Sequence, residues 1–196
     1  MGGCIELFKM NKKIVEQVRK FVEDECKKPT SKYGYEPYEF HFVPVVNYAV
    51  SLAKKLNADI EIVELSAWLH DIGSIFYGRE SHHITSAEIT EKKLRELDYP
   101  EIKIEKVKQC ILSHRSSNSV NGISLEAQII SDADALSNFD NISGIFKAAF
   151  IYENLTQGEA MISVREKLKR KWSKLYLQES KELIKPKYKA AILLLS

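Results

Sequence analysis

Apolar side chains in this chain recur at intervals of three and four residues almost from end to end, and alternating β-branched runs are scarce. That spacing gathers apolar groups on one face of an α-helix and does not fit the two-residue period of a half-buried strand, so the expected fold class is all-α. A first helix is expected over roughly Met10 to Cys26, with Ile14, Val18, Phe21 and Val22 on one stripe, broken by Lys27-Lys28-Pro29-Thr30-Ser31. The segment with Tyr33, Tyr35 and Tyr38 reads as a loop. Val45, Ala49, Leu52, Ala53 and Leu56 mark a second helix that ends near Asn57 and Ala58, and His41 lies one turn ahead of that stripe. Ile60 to Leu69 is almost continuously apolar, which predicts a helix buried on most sides and closing at Gly73.

Further along, Ile84, Ala87, Leu94 and Leu97 define a helix after His82 and His83. Ile104, Val107, Ile111 and His114 follow at spacings of three, four and three, which puts His114 on an inward stripe. Leu125, Ile129 and Ala133 introduce a helix carrying Asp132 and Asp134. Beyond Asn141 the pattern runs on through Ile145, Ala148, Ala149 and Ile151, with Leu155-Thr156-Gln157-Gly158 as the expected stop. Val164, Leu168, Trp172 and Leu175 are then surrounded by Arg165, Lys167, Lys169, Arg170, Lys171 and Lys174. A basic amphipathic helix can meet RNA or an anionic membrane face, but its commoner role is to pack its apolar side on its own domain. Tyr188, Ala191, Ile192 and Leu195 predict a final packing helix.

At 196 residues and 44% hydrophobic content, the chain suits one compact domain with a real core. No apolar run approaches the roughly 20 residues needed to cross a bilayer. The start, Met1-Gly2-Gly3-Cys4-Ile5-Glu6, has no apolar stretch of signal-peptide type, and Glu6 stands where a myristoylation site wants Ser or Thr. Cys4, Cys26 and Cys110 are far apart and lack CxxC spacing, which excludes a zinc finger and suggests reduced thiols in a cytoplasmic protein. With 29 basic and 27 acidic residues the net charge is +2, too balanced to imply nucleic-acid binding from bulk electrostatics.

All five histidines fall between positions 41 and 114, and His70-Asp71 closes the most apolar helix. Taken singly, a histidine on an apolar stripe is more often a hydrogen-bonded core residue than a ligand, and an aspartate at a helix end is more often a cap. Several imidazoles and carboxylates converging in one helical bundle are costly to bury unless they are satisfied together, and a divalent cation does that in one step.

The order His41, His70-Asp71, Asp134 now carries a resemblance. So do the strings Ala67-Trp68-Leu69-His70-Asp71-Ile72-Gly73, His82-His83-Ile84-Thr85-Ser86-Ala87 and Ile129-Ile130-Ser131-Asp132-Ala133-Asp134-Ala135-Leu136. Over about Pro37 to Asn141 the chain resembles the HD-domain superfamily of metal-dependent phosphohydrolases. The resemblance implies a helical bundle with a buried metal site. It makes residues 1–196 a single HD-type domain, with a motif core at about 37–141 and C-terminal helices in 142–196 packing on it. It implies that His41, His70, Asp71 and Asp134 bind one divalent metal ion (Mn, Fe, Co, Ni, Mg or Zn), with His70 and Asp71 catalytic. His82 and His114 would hold a second metal or line the pocket and orient a substrate phosphate. Helical phase does not choose between the late carboxylates: Asp132 continues Leu125 and Ile129, whereas Asp134 continues Ile130 and points on to Asn138. The family pattern of aspartate, any residue, leucine is matched by Asp134-Ala135-Leu136.

The activity implied is hydrolysis of a phosphate mono- or diester, of a nucleotide or small metabolite, by metal-activated water. Asn138 and Arg115 are the expected substrate contacts. Arg115 and Arg79 are the basic residues nearest the site elements in sequence, and a guanidinium suits bidentate phosphate recognition. The expected partner is a small-molecule phosphate ester rather than a membrane or nucleic acid, with self-association left open. Many relatives have an arginine and a second aspartate where this chain has Ala135 and Ser137. That departure motivates an alternative, a noncatalytic nucleotide-binding regulatory HD module. A di-iron oxygenase, which the broader superfamily also contains, is a third reading.

Overall fold

The computed structural model describes the backbone of residues 2–114 and 122–196 and the side chains of residues 13–114 and 122–196. The elements are all helical among the described residues: α1 (Gly2–Lys27), a π-helical turn (Tyr38–Phe42), α2 (Val43–Leu56), α3 (Ile60–Leu69), α4 (Ile72–Tyr77), α5 (His82–Glu96), α6 (Glu101–Ser113), α7 (Leu125–Ser137), α8 (Ile142–Ile151), α9 (Gln157–Ser173) and α10 (Gln178–Leu194). None of them is long and apolar enough to cross a membrane.

The core is built around α3. Its residues Ile62, Val63, Leu65, Ala67 and Leu69 are almost wholly buried, as the continuous apolar run predicts. α3 packs on α1, α2 and α6; α2 also lies along α7, and α5 lies against both α4 and α6. Each fully buried Leu, Ile or Phe contributes about 1.5–3 kcal/mol relative to exposure. Cys26 and Cys110 are buried in this core, and loss of hydration pushes their thiols up to about 12 and about 11, so neither is a thiolate at neutral pH.

Several boundaries differ from the sequence expectation. α1 begins at Gly2 rather than near Met10. The tyrosine-rich loop ends early, because Tyr38 is already helical and buried, stacked on Trp68 with ring centroids 5.7 Å apart and receiving a 2.8 Å hydrogen bond from Arg19. The Val43 N–H bonds the Tyr38 carbonyl five residues back. Pro44, just inside α2, has no N–H for the Phe40 carbonyl, which favours this wider turn.

Gly73 does not close α3. That helix stops at Leu69, and Gly73 sits inside α4, where its N–H bonds Ser86 Oγ at 2.9 Å. A Cβ there would lie 2.6 Å from Ser86 N and 2.7 Å from the His82 carbonyl. The glycine is needed for close approach of α4 to α5 rather than for a turn. α5 in turn buries His82, Ser86, Ala87, Thr90 and Leu94, while Ile84 is 46% exposed and Leu97 half-buried. Its inward face carries polar residues at four-residue spacing, which an apolar-stripe reading passes over.

The helix expected to run from α7 through Ile151 is two helices. Asn141 caps α8, its Oδ1 accepting from Gly144 N at 2.9 Å. The Leu155–Gly158 stretch starts α9 rather than ending α8: Thr156 and Glu159 form a reciprocal capping box, in which the Thr156 N–H bonds Glu159 Oε2 at 2.9 Å. α9 packs on α8, α10 and α7, with Ala160, Val164 and Leu168 buried.

Gly73→Ala is expected to force α4 from α5 and lower stability by about 1–3 kcal/mol. The check is the urea midpoint of the variant against the parent.

Candidate metal centre

Four element ends converge on one carboxylate. Asp71, between α3 and α4, has Oδ2 3.3 Å from His41 Nε2 and 3.9 Å from His70 Nε2; its Oδ1 is 3.0 Å from His82 Nε2 and 3.6 Å from His114 Nε2. His41 comes from the π-helical turn, His70 from the end of α3, His82 from the start of α5 and His114 from the end of α6. His70 is fully buried, and His82 and His114 nearly so. The His41 and His70 Nε2 atoms are only 3.1 Å apart.

The other ring nitrogens fix which atom carries the proton. A carbonyl can only accept, so Nδ1 of His70 donates to Ala67 O at 2.8 Å, Nδ1 of His82 to Arg79 O at 2.8 Å, and Nδ1 of His114 to Ile111 O. In each case the carbonyl is three residues back. His41 is held by a relay: Ser137 Oγ donates to Asp134 O at 2.8 Å and so receives the His41 Nδ1 proton at 3.2 Å. In the neutral rings, every Nε2 therefore turns a lone pair toward the Asp71 carboxylate. Asp71 Oδ1 is buried and receives no hydrogen bond. Acceptors facing acceptors in a dry pocket are unfavourable unless a cation lies among them, so this donor set suits a divalent metal ion. Two overlapping groups have atoms close enough to hold one: His41, His70 and Asp71, and Asp71, His82 and His114.

Charge reinforces this. Burial pushes the His70 imidazole down to about 4, against the pull of Asp71, so the ring is neutral at pH 7. Burial works against ionisation of Asp71, and neutral rings facing it with lone pairs give no relief. Positive charge at His70 first, and protons on His114, His41 and His82 after it, outweigh burial and hold the carboxyl well below its usual range, a part that a cation among the rings would also play. Asp134 shows the same opposition: burial raises it, while the Lys171 ammonium, then His41 and His70, bring it far down.

The two late aspartates that helical phase leaves equivalent have separate surroundings. Asp134 Oδ1 is 3.8 Å from His41 Nε2, and its Oδ2 takes a 2.7 Å bond from Lys171 Nζ. Asp132 faces away, buried, its two oxygens each accepting a 2.9 Å bond, from Tyr176 N and Leu177 N, between α9 and α10. Asn138 is half-buried and donates its amide to the Asp134 carbonyl at 2.7 Å. Arg79 is exposed, and its link to the cluster is the carbonyl that receives His82. Arg115 lies outside the described residues.

Sequence reasoning missed Ser137 and Lys171 as parts of this arrangement. Ser137 registers in the sequence only as a departure from a familiar motif. Lys171 continues the Ala160, Val164, Leu168 stripe at the next helical step, and a cation in line with buried apolar residues was the available signal.

A model of the HD domain matches residues 38–138. An uncharacterised protein of Clostridium beijerinckii is 36% identical over 137 residues, covering 68% of this chain and 76% of the relative. Among solved structures, YpgQ of Bacillus subtilis in complex with ADP superposes with a TM-score of 0.73 at 20% identity, covering 94% of this chain and 92% of that one. An HD-superfamily hydrolase of Bacillus thuringiensis gives 0.71 at 17% identity, with 94% of each chain covered. At such identities the structural likeness is one of fold.

Two outcomes follow from these surroundings. Asp132→Ala leaves the buried Tyr176 and Leu177 amides without their acceptor, and a loss of about 1–3 kcal/mol is expected in urea unfolding. His70 gives the metal-free protein a pH-dependent stability. Between pH 6.5 and about 4 the unfolded chain binds a proton at His70 that the folded chain refuses, so this stability is complete above pH 6.5 and drains away as the pH falls toward 4. Stability from urea unfolding in EDTA should decline from pH 7 to pH 5, by about 2 kcal/mol from this residue, and His70→Gln should flatten that slope.

Proposed function

The chain belongs to the HD domain family, a superfamily of metal-dependent phosphohydrolases, and on that premise we propose that it hydrolyses a phosphate mono- or diester of a nucleotide or other small metabolite. The observation that carries the reading is the Asp71 carboxylate surrounded by four imidazoles whose Nδ1 protons are spent elsewhere. His41, His70, Asp71 and Asp134 are the proposed holders of one divalent cation, and His82 and His114, sharing Asp71, the holders of a second or the contacts to a substrate phosphate. ADP in the fold relative YpgQ supports a nucleotide as the substrate class. The cytoplasm is the proposed location, where Cys26 and Cys110 stay reduced.

A divalent cation held here lowers the pKa of water from about 15.7 towards 7 and neutralises charge on phosphoryl oxygens. The remaining work belongs to the chain. The three carbonyl-anchored imidazoles are pre-set in tautomer and orientation, so no reorganisation is needed at the moment of reaction. Asp71, ionised at neutral pH, orients the attacking water and accepts its proton at a carboxylate oxygen. Lys171 keeps Asp134 ionised and aimed. The apolar walls of α3 and α6 exclude bulk water behind His70 and His114. Asn138 is the proposed substrate contact from α7, together with Arg115.

The protein purified with its metal retained is assayed against a panel of nucleotides and generic phosphate esters. We expect turnover of at least one of them, and a drop of at least about 100-fold for His70→Ala and for Asp71→Ala together with loss of bound metal by elemental analysis. Equal turnover by parent and both variants would reject the proposal.

A further inference from the structure

The basic face of α9 is not a uniformly solvated surface. Lys171 leaves solvent to bond Asp134 at 2.7 Å, and Lys167, one turn earlier on the same face, follows it toward the centre. Lys167 is only partly exposed and makes no hydrogen bond or ion pair with the described residues, unlike Lys169 on the opposite side, which pairs with Glu166 at 2.9 Å. Arg79, whose carbonyl anchors His82, is near enough for its charge to act on Lys167, and its guanidinium also has no ion-pair partner among the described residues. Burial, followed by the Arg79 and Lys171 charges, lowers the Lys167 ammonium to about 8, with Asp134 and Glu153 as the opposing carboxylates, so the three cations share one region at the rim.

Neither Lys167 nor Arg79 has an ion-pair partner among the described residues, whereas Lys171 is paired with Asp134. Holding unpaired cations together, one of them largely withdrawn from water, is unfavourable unless an anion joins them. A single phosphoryl group at the metal centre would answer the cations there and leave this pair unmet. We infer that Lys167 and Arg79, aligned by Lys171, form an anion subsite that takes a phosphate adjoining the one attacked, so that the substrate is a phosphate ester carrying a chain of at least two phosphates. This rests on the phosphohydrolase reading for its substrate sense, but the subsite itself is testable by binding alone.

The probes are inorganic tripolyphosphate and orthophosphate, titrated by calorimetry into the metal-containing protein, with metal content measured before and after to exclude chelation. We expect tripolyphosphate to bind at least about tenfold more tightly than orthophosphate. Lys167→Met, which keeps the apolar stem, should remove most of that difference. Lys169→Met, with the same change in net charge, should alter it less than about twofold. Equal affinities for the two probes in the parent, or equal effects of the two substitutions, would overturn the subsite whether or not the protein turns over any ester. If tripolyphosphate discrimination behaves as expected while the ester panel shows no turnover, the subsite stands and the hydrolase reading falls. Where turnover is found, Lys167→Met should raise KM for a nucleoside triphosphate about tenfold or more, with a smaller change in kcat.

Discussion

The centre depends on a small, repeated hydrogen bond: an imidazole Nδ1–H given to the carbonyl three residues earlier. His70, His82 and His114 each make it, the first and last at helix C-termini where carbonyls lack helical partners. The bond completes the backbone of each helix end, fixes the ring tautomer and turns the remaining lone pair inward. At His70 and His114 one local interaction thus completes the helix end and leaves a ring nitrogen suited to a metal ion. His41 reaches the same state differently, through Ser137, which shows that the inward lone pair is kept even where no carbonyl is placed to impose it.

Around this arrangement the rest of the bundle serves as a frame. The nearly all-apolar α3 fixes His70 without freedom to move, and the absence of a side chain at Gly73 lets α4 and α5 close until His82 comes within reach of Asp71. The desolvation that keeps His70 neutral would disfavour the two carboxylates if they stood alone. At Asp134 the Lys171 ammonium offsets that cost, and at Asp71 it is offset by positive charge among the imidazoles, from protons or from a metal ion. Burial and charge therefore act in opposite directions on neighbouring groups, and the result is neutral nitrogen beside anionic oxygen.

Much of this was legible from residue order. Long segments with a strong three-to-four period gave the buried faces of α2, α3, α6 and α7, although α3 and α7 end earlier than the pattern put them, and the placement of His114 on an inward stripe came from spacing alone. Failures came where one residue type serves two purposes. A glycine after an apolar run signals a helix end, but at Gly73 it answers a packing demand from α5 that no local pattern contains. Helical phase could not separate Asp132 from Asp134, because the distinction lies in what each meets across space: backbone amides between α9 and α10 in one case, His41 and Lys171 in the other. In α5 the apolar stripe found Ala87 and Leu94 but put the exposed Ile84 with them and passed over His82, Ser86 and Thr90, the polar cost of bordering the centre.

The bond from Lys171 to Asp134 has a consequence for how such a protein can diverge. Lys171 lies thirty-three residues past the end of the HD match at residue 138, on a helix outside the shared motif. The histidines and aspartates proposed to hold an ion therefore lie within the family match, while Lys171 and Lys167 reach the same centre from a helix beyond it. On the proposed reading, drift in the C-terminal stretch would change the charges that border the cage without changing its histidines and aspartates, so two chains sharing those residues need not share a substrate.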